Sequence, residues 1–345
     1  MLTHAYGVDS PTSPFRPLDI ERRDPGPRDV VIDIAYCGVC HSDIHTARAE
    51  WGRVTYPIVP GHEITGIVAQ VGAAVTKVKP GDRVGVGCMV DSCGTCDYCQ
   101  SGMEQFCDNG VWTYNSRTPD GVTQGGYAQA ITVQEHFVMT LPDAIPLDAG
   151  APLLCAGVTT YSPLKHWGVG PGMEVAIIGL GGLGHVGVQM AAALGAEVSV
   201  ISQTRSKQAD GLAFGAAHYY ATSEEGTLKR LAGRFDVILS TISSGDDYTA
   251  YINCLTKTGA IINVGLPATP LGLYVRALSP RRTLQGSLIG GCAETQEMLD
   301  FCATHSVRPR IELIGADDIT DAYDKVVQSQ VRYRYVIDAN TIGRR

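Results

Sequence analysis

EVAIIGLGGLGHVGVQMAAAL, residues 174–194, is the stretch that decides how this chain folds. Five residues, Glu174 to Ile178, form a short apolar run bounded by glycine, the mark of a fully buried strand. Gly179-Leu180-Gly181-Gly182-Leu183-Gly184 then matches GxGxxG, and Leu183 to Leu194 is apolar and helix-competent until Gly195 ends it. Between a strand and a helix this pattern is a dinucleotide loop. The first glycine permits a tight turn, the second lets backbone approach a pyrophosphate, and the third allows close helix–strand packing. The helix N-terminus then faces the negative charge.

Further strands follow at Glu197–Ile201, His218–Tyr220, Asp236–Ser240, Ala260–Val264 and Leu284–Ile289, most of them separated by helical stretches. Six strands alternating with helices predict a doubly wound parallel sheet. Upstream the rhythm differs. Asp29–Ile34 and Ile64–Ala69 alternate, and Pro80-Gly81-Asp82 is a turn before Arg83–Val86, as in a β-rich, barrel-like domain. The 345 residues suit two domains. About 55 residues after the sheet are few for a third domain, so the tail is expected to complete the first. The division expected is 1–150 with 291–345, and an inserted 151–290.

The second strand of the sheet distinguishes NAD from NADP. An NAD site has an acid about 20 residues beyond the glycine loop, on the ribose 2′-hydroxyl. Here the strand runs into Ser202-Gln-Thr204-Arg205-Ser-Lys207, without an acid. Two hydroxyls and two cations suit a 2′-phosphate, so NADP(H) is expected. His185, after the loop, either aids the cofactor or sits in the helix.

Composition bounds the partners. A net charge of −8 argues against nucleic acid and anionic membranes, and no apolar run reaches the length of a membrane helix. The N-terminus lacks the charged and apolar regions of a secretory signal, so a cytoplasmic protein with reduced thiols is expected. The 11 cysteines are then metal ligands, catalytic groups or core filler. Cys93, Cys96, Cys99 and Cys107 are four closely spaced thiols that suit a closed, structural zinc site. A bacterial iron–sulfur motif would continue with three residues, cysteine and proline, which this chain lacks. Cys88 just upstream reads as packing.

A second donor-rich set is Cys37-Gly-Val-Cys40-His41-Ser42-Asp43-Ile-His45, then Gly61-His62-Glu63, then Leu154-Cys155. With CGVCHSDIH, YPIVPGHE, the four-cysteine lobe, LLCAGVTTYSPL, GLGGLGH and VRYRYVID in order, the chain resembles the zinc-dependent medium-chain alcohol dehydrogenases, in their cinnamyl-alcohol-dehydrogenase-like branch. The resemblance implies a groES-like catalytic domain with an inserted Rossmann domain, and two zinc ions per subunit. It makes Cys40, His62 and Cys155 catalytic zinc ligands, with Glu63 beside the metal, able to replace the labile ligand. Asp43 is then the carboxylate supporting the site. Ser42 and His45 become the start and end of a proton relay through the nicotinamide ribose. Thr159, Val264, Ser287 and Leu288 are expected near the nicotinamide, and Arg334 near the cofactor phosphates. Trp51, Trp112 and Leu288 are candidates for the apolar wall of a pocket, although both tryptophans also suit core positions.

The implied reaction is reversible hydride transfer between NADPH and aliphatic or aromatic aldehydes, with primary alcohols as the reduced partners. The implied assembly is a homodimer. Reduction of an activated C=C or C=N bond is the alternative on this fold, usually where ligands are lost. A non-catalytic NADPH-binding zinc protein is the alternative from another class. The complete ligand set speaks against both.

Overall fold

The computed structural model describes residues 1–243, 248–267 and 269–343. The chain divides into two compact units. One comprises Met1–Cys155, Gly290–Thr304 and Arg308–Arg345; the other comprises Ala156–Ile289 and His305–Val307.

The first unit opens with an antiparallel pair, β1 (Leu2–Gly7) and β2 (Arg16–Glu21). β3 (Asp29–Gly38) follows and is buried along most of its length. It leads into a short helix, α1 (His41–Ala47), then β4 (Ile64–Val71), β5 (Arg83–Val86), β6 (Ala130–Gln134) and β7 (Met139–Thr140). The second unit holds α2 (Ala156–His166), β8 (Glu174–Ile178), α3 (Gly184–Ala193), β9 (Glu197–Ser202), β10 (His218–Ala221), β11 (Phe235–Ser240), β12 (Leu255–Asn263) and β13 (Thr283–Gly286). The chain then returns to the first unit through α4 (Cys292–His305), β14 (Ile311–Ile314), α5 (Ile319–Val327) and β15 (Arg334–Asp338).

In the second unit six strands run parallel in the order β10-β9-β8-β11-β12-β13. That is the 3-2-1-4-5-6 order of the Rossmann sheet. β8 lies in the middle, with Val175 between Val198 and Val237. Val175, Ala176 and Ile177 are wholly buried, which is why the strand reads as a continuous apolar run rather than an alternation. Its final strand ends at Gly286, so Ser287 and Leu288 lie just past the sheet rather than in it.

In the first unit the sheet order is β7-β5-β4-β3-β15-β14, with β6 also on β3. β15 joins β3 antiparallel, so the last strand of the chain does pack into the sheet begun by the first hundred residues. Around this sheet lie Val30, Ile32, Ile64, Val84 and Val86, all fully buried. Each such side chain contributes roughly 1.5–3 kcal/mol of burial. The segment from 41 to 47, to which the sequence assigned no element, is helical. No helix among the described residues is long and apolar enough to cross a membrane.

Candidate metal centres and dinucleotide site

Cys40 ends the run from β3 and occupies the N-cap of α1. Asp43, three residues on, accepts from Cys40 N at 2.8 Å, closing a capping box. The same carboxylate is fully buried. It accepts from Gly61 N at 3.0 Å and from the Tyr127 hydroxyl at 3.2 Å, and lies 3.1 Å from His62 Nδ1. Tyr114 Oη is also 3.1 Å from that nitrogen. Nδ1 is therefore occupied, and His62 keeps Nε2 for a metal.

Around the His62 ring gather the thiols of Cys40 and Cys155 and the carboxylate of Glu63. The four donors lie within 4.8 Å of one another and all four residues are buried. The Cys40 thiol is drawn well below its ordinary value, first by a bond to Cys155 and also by the Arg334 and His62 charges. Burial pushes the Glu63 carboxyl up to about 7, against the pull of Arg334. Gly38 lets this carboxylate lie flat on the strand: a Cβ there would sit 1.9 Å from Glu63 Oε2.

Arg334 bonds Glu63, a contact the sequence did not suggest. It is 3% exposed, and its Nε donates to Glu63 Oε2 at 3.2 Å while Nη2 bonds Oε1. β15 sits beside β3, and the antiparallel register turns the guanidinium toward the carboxylate. Cys88 belongs to the surroundings of this cluster: Cys155 and the His62 charge draw its thiol down against burial, although its sequence neighbours belong to the four-cysteine lobe.

The relay candidates share one face of α1. Ser42 Oγ accepts from the Cys40 thiol at 3.7 Å. His45 Nδ1 lies 2.5 Å from Glu50 Oε2, and its ring stacks on Trp51 with centroids 4.6 Å apart. Trp51 and Trp112 are 48% and 38% exposed, so neither is a core anchor. Leu288, in the other unit, is likewise surface-exposed.

The four-cysteine lobe has the shape of a closed site. Cys93, Cys96, Cys99 and Cys107 place their sulfurs within 4.8 Å of one another. Cys96–Cys99 and Cys93–Cys99 separations are 3.5 and 3.9 Å. A tetrahedron with zinc–sulfur bonds of about 2.3 Å has edges of about 3.8 Å, so the donor set fits zinc. Backbone N–H groups of Thr95 and Cys96 pull the Cys93 thiol down to about 6.

In the second unit the three glycines of the loop differ in what they permit. Gly179 has φ +88°, a left-handed conformation. Beside Gly181 a Cβ would meet nothing within 4 Å, leaving open space in front of the loop. At Gly184 a Cβ would lie 1.9 Å from Gly179 O, so the helix can approach the turn only without one. Gly182 and Leu183 complete the turn into α3. His185 is buried, and its Nδ1 donates to Gly181 O at 3.0 Å, so it braces the loop.

At the end of β9, Ser202 is half-buried and Thr204 is exposed. Arg205 reaches Gln208 at 2.8 Å and pairs bidentately with Glu224. Lys207 Nζ donates to Leu180 O at 3.0 Å, tying this segment back to the glycine loop. Val264 and Ser287 follow the carboxyl ends of β12 and β13. Thr159 on α2 keeps a buried hydroxyl without a hydrogen-bond partner, an orphan that a cofactor amide would satisfy. The open Gly181 side and the hydroxyls and cations of residues 202–207, a segment with no acid of its own, fit a phosphorylated dinucleotide.

Several contacts were invisible in the sequence. Tyr114, Tyr127 and Glu50 carry no motif, and only the fold brings them to Asp43, His62 and His45.

Comparison with known proteins agrees with this geometry. The family described as Alcohol dehydrogenase GroES-like domain matches residues 26–143, and that described as Zinc-binding dehydrogenase matches residues 182–304. The chain is 56% identical over 342 residues to NADP-dependent alcohol dehydrogenase C 1 of Mycolicibacterium smegmatis, covering 98% of each. It superposes on a cinnamyl alcohol dehydrogenase from Sorghum bicolor with a TM-score of 0.96 at 38% identity, covering 99% and 98% of the two chains. A cinnamyl alcohol dehydrogenase from Helicobacter pylori complexed with NADP(H) gives a TM-score of 0.93 at 43% identity, with 99% of each covered.

Proposed function

The chain belongs to the zinc-binding alcohol dehydrogenases, in their cinnamyl-alcohol-dehydrogenase-like branch, and we propose that it is a zinc-dependent, NADPH-linked reductase of aliphatic and aromatic aldehydes. The observation that carries this is the pairing of two unlike donor sets. One is four thiols closed on themselves; the other is the buried Cys40, His62 and Cys155, with Glu63 alongside. Three strong ligands and a carboxylate engaged elsewhere leave a position for substrate.

When bound, the metal supplies Lewis acidity at the substrate oxygen and the reduced cofactor supplies the hydride. The protein's own residues do the rest. Cys40 and Cys155 contribute negative sulfur, and Asp43 fixes the His62 ring so that Nε2 faces them. Arg334 opposes the effect of burial on Glu63 and holds its carboxyl to one side. The proton needed by the product oxygen comes through the Ser42 hydroxyl, with His45 as its link to solvent. Glu50 sets which nitrogen of His45 carries a proton, and Trp51 limits how the ring can turn. Ser202, Thr204, Arg205 and Lys207 recognise the 2′-phosphate, with Arg205 exchanging Glu224 for it.

NADPH oxidation measured over benzaldehyde-, cinnamaldehyde- and alkyl-aldehyde-type substrates tests the reading, with NADH in parallel. Turnover with NADPH that a chelator abolishes is expected. Equal catalytic efficiency with NADH would remove the assignment of the phosphate. Ser42→Ala should lower turnover by about 10²–10⁴-fold while metal content stays unchanged.

A further inference from the structure

A third group of donors lies in the first unit, apart from both centres. Glu104, His136 and Cys292 bring a carboxylate oxygen, an imidazole nitrogen and a thiol within 4.8 Å of one another. We propose that these three residues form an additional, exchangeable Zn²⁺ site that joins the four-cysteine lobe to the start of α4.

Three separate segments supply the donors. Glu104 begins the short turn Glu104–Phe106 inside the lobe and is 2% exposed. Its Oε2 accepts from Cys292 N at 3.0 Å, at the first residue of α4. Its Oε1 lies 2.7 Å from His136 Nε2. His136 stands on the turn Glu135–Phe137 with its side chain 52% exposed, which leaves a solvent path to the group.

The backbone holds the arrangement rigidly. A Cβ at Gly291 would lie 1.8 Å from Gly102 O and 2.6 Å from Glu104 Oε2. Only glycine lets the start of α4 press so closely on the lobe, and that approach fixes the carboxylate against Cys292.

The donor chemistry selects the ion. One sulfur, one imidazole nitrogen and one carboxylate oxygen suit a borderline cation with tetrahedral preference, not Ca²⁺ or Mg²⁺. Zn²⁺ replaces the hydrogen bond between His136 Nε2 and Glu104 Oε1, with the neutral imidazole carrying its proton on Nδ1. It also displaces the Cys292 proton, which goes to solvent. Burial holds that thiol near 12, with Glu104 adding to it, so binding releases a proton and is weaker than at the four-cysteine site. Lys77, whose Nζ donates to His136 O at 3.5 Å, repels the ion but draws the Cys292 thiol down. Three protein ligands and an exposed edge leave the fourth position to water, so the ion exchanges.

The test counts ions rather than activity. The protein is titrated with Zn²⁺ against a chromophoric competing chelator, alongside His136→Asn and Cys292→Ser. The parent should bind one more equivalent than either variant, with far-ultraviolet circular dichroism unchanged in both. Co²⁺ added to the zinc-loaded parent should give a thiolate-to-cobalt charge-transfer band that Cys292→Ser lacks. Identical stoichiometry in all three proteins overturns the site, as does an extra equivalent that survives both substitutions.

Discussion

Arg334→Met separates two roles for one arginine. The guanidinium is 3% exposed and the Glu63 carboxylate wholly buried, so each is the other's main compensation for lost water. Breaking such a pair from one side strands a charge, which costs about 3–5 kcal/mol. A domain stable by roughly 5–15 kcal/mol loses a large share of that. Urea unfolding at fixed zinc, followed by the shift in midpoint at constant m, reads the loss. Glu63→Gln in the Arg334→Met background should recover part of it, because the stranded carboxylate is gone. The deficit also has a pH sign. The Glu63 carboxyl already sits near 7 when folded, against a reference of 4.5. Without Arg334 it rises, so the folded variant keeps a proton that the unfolded chain releases, and the deficit widens as pH climbs past 7. A variant within about 0.5 kcal/mol of the parent would refute the pairing, most clearly if only the NADPH KM had risen. A double variant weaker than the sum of its singles would refute it equally.

The other perturbations probe single supports. Asp43→Asn leaves shape intact but removes the charge beside His62 and turns one of the two oxygens that serve Cys40 N, Gly61 N and His62 into a donor. Metal affinity at the Cys40–His62–Cys155 cluster should fall about 10–100-fold by competition with a chelator, with the four-cysteine site unchanged. Gly184→Ala drives a methyl group into Gly179 O, so a loss of about 1–3 kcal/mol and weaker NADPH binding by fluorescence titration are expected. For Asp29→Asn the measurement is stability against pH. Bonds from Arg23, and from Gly26 N at 2.7 Å, hold the Asp29 carboxyl below its reference of 3.8. Its contribution is present above 3.8 and is lost as pH falls through the lower folded value. The variant should be about 1.5–3 kcal/mol weaker at pH 7, with the gap closing in acid.

What could be read from the sequence was what short spacing encodes. The glycine loop announces itself within six residues, because strand, turn and helix must follow in immediate succession. The four-cysteine lobe does so within fifteen. Long-range partners were not legible. Arg334 and Glu63 are 271 residues apart, and nothing near either names the other. Cys88 lies beside Cys93 in sequence but meets Cys155 in space, because β5 delivers it to the opposite cluster. The helix at 41–47 was hidden for another reason. Seven residues rich in polar groups carry no apolar period, and their helicity rests on a cap and on burial of Ile44.

That helix explains why the donors occur in their particular order. With Cys40 at the N-cap, Ser42 and Asp43 are its second and third positions. A capping box requires a carboxylate at the third, so Asp43 turns inward and closes on Cys40 N. His62 arrives from the loop before β4, and the inward carboxylate is what meets it. Ser42 and His45 are three apart and so share a face, while Asp43 and Ile44 are buried. One short helix therefore sorts Asp43 and Ile44 to its buried side and places Ser42 and His45, the proposed relay pair, on its more accessible side. Moving Cys40 by one residue would rotate the relay pair by about 100° relative to the ligand and break both arrangements together.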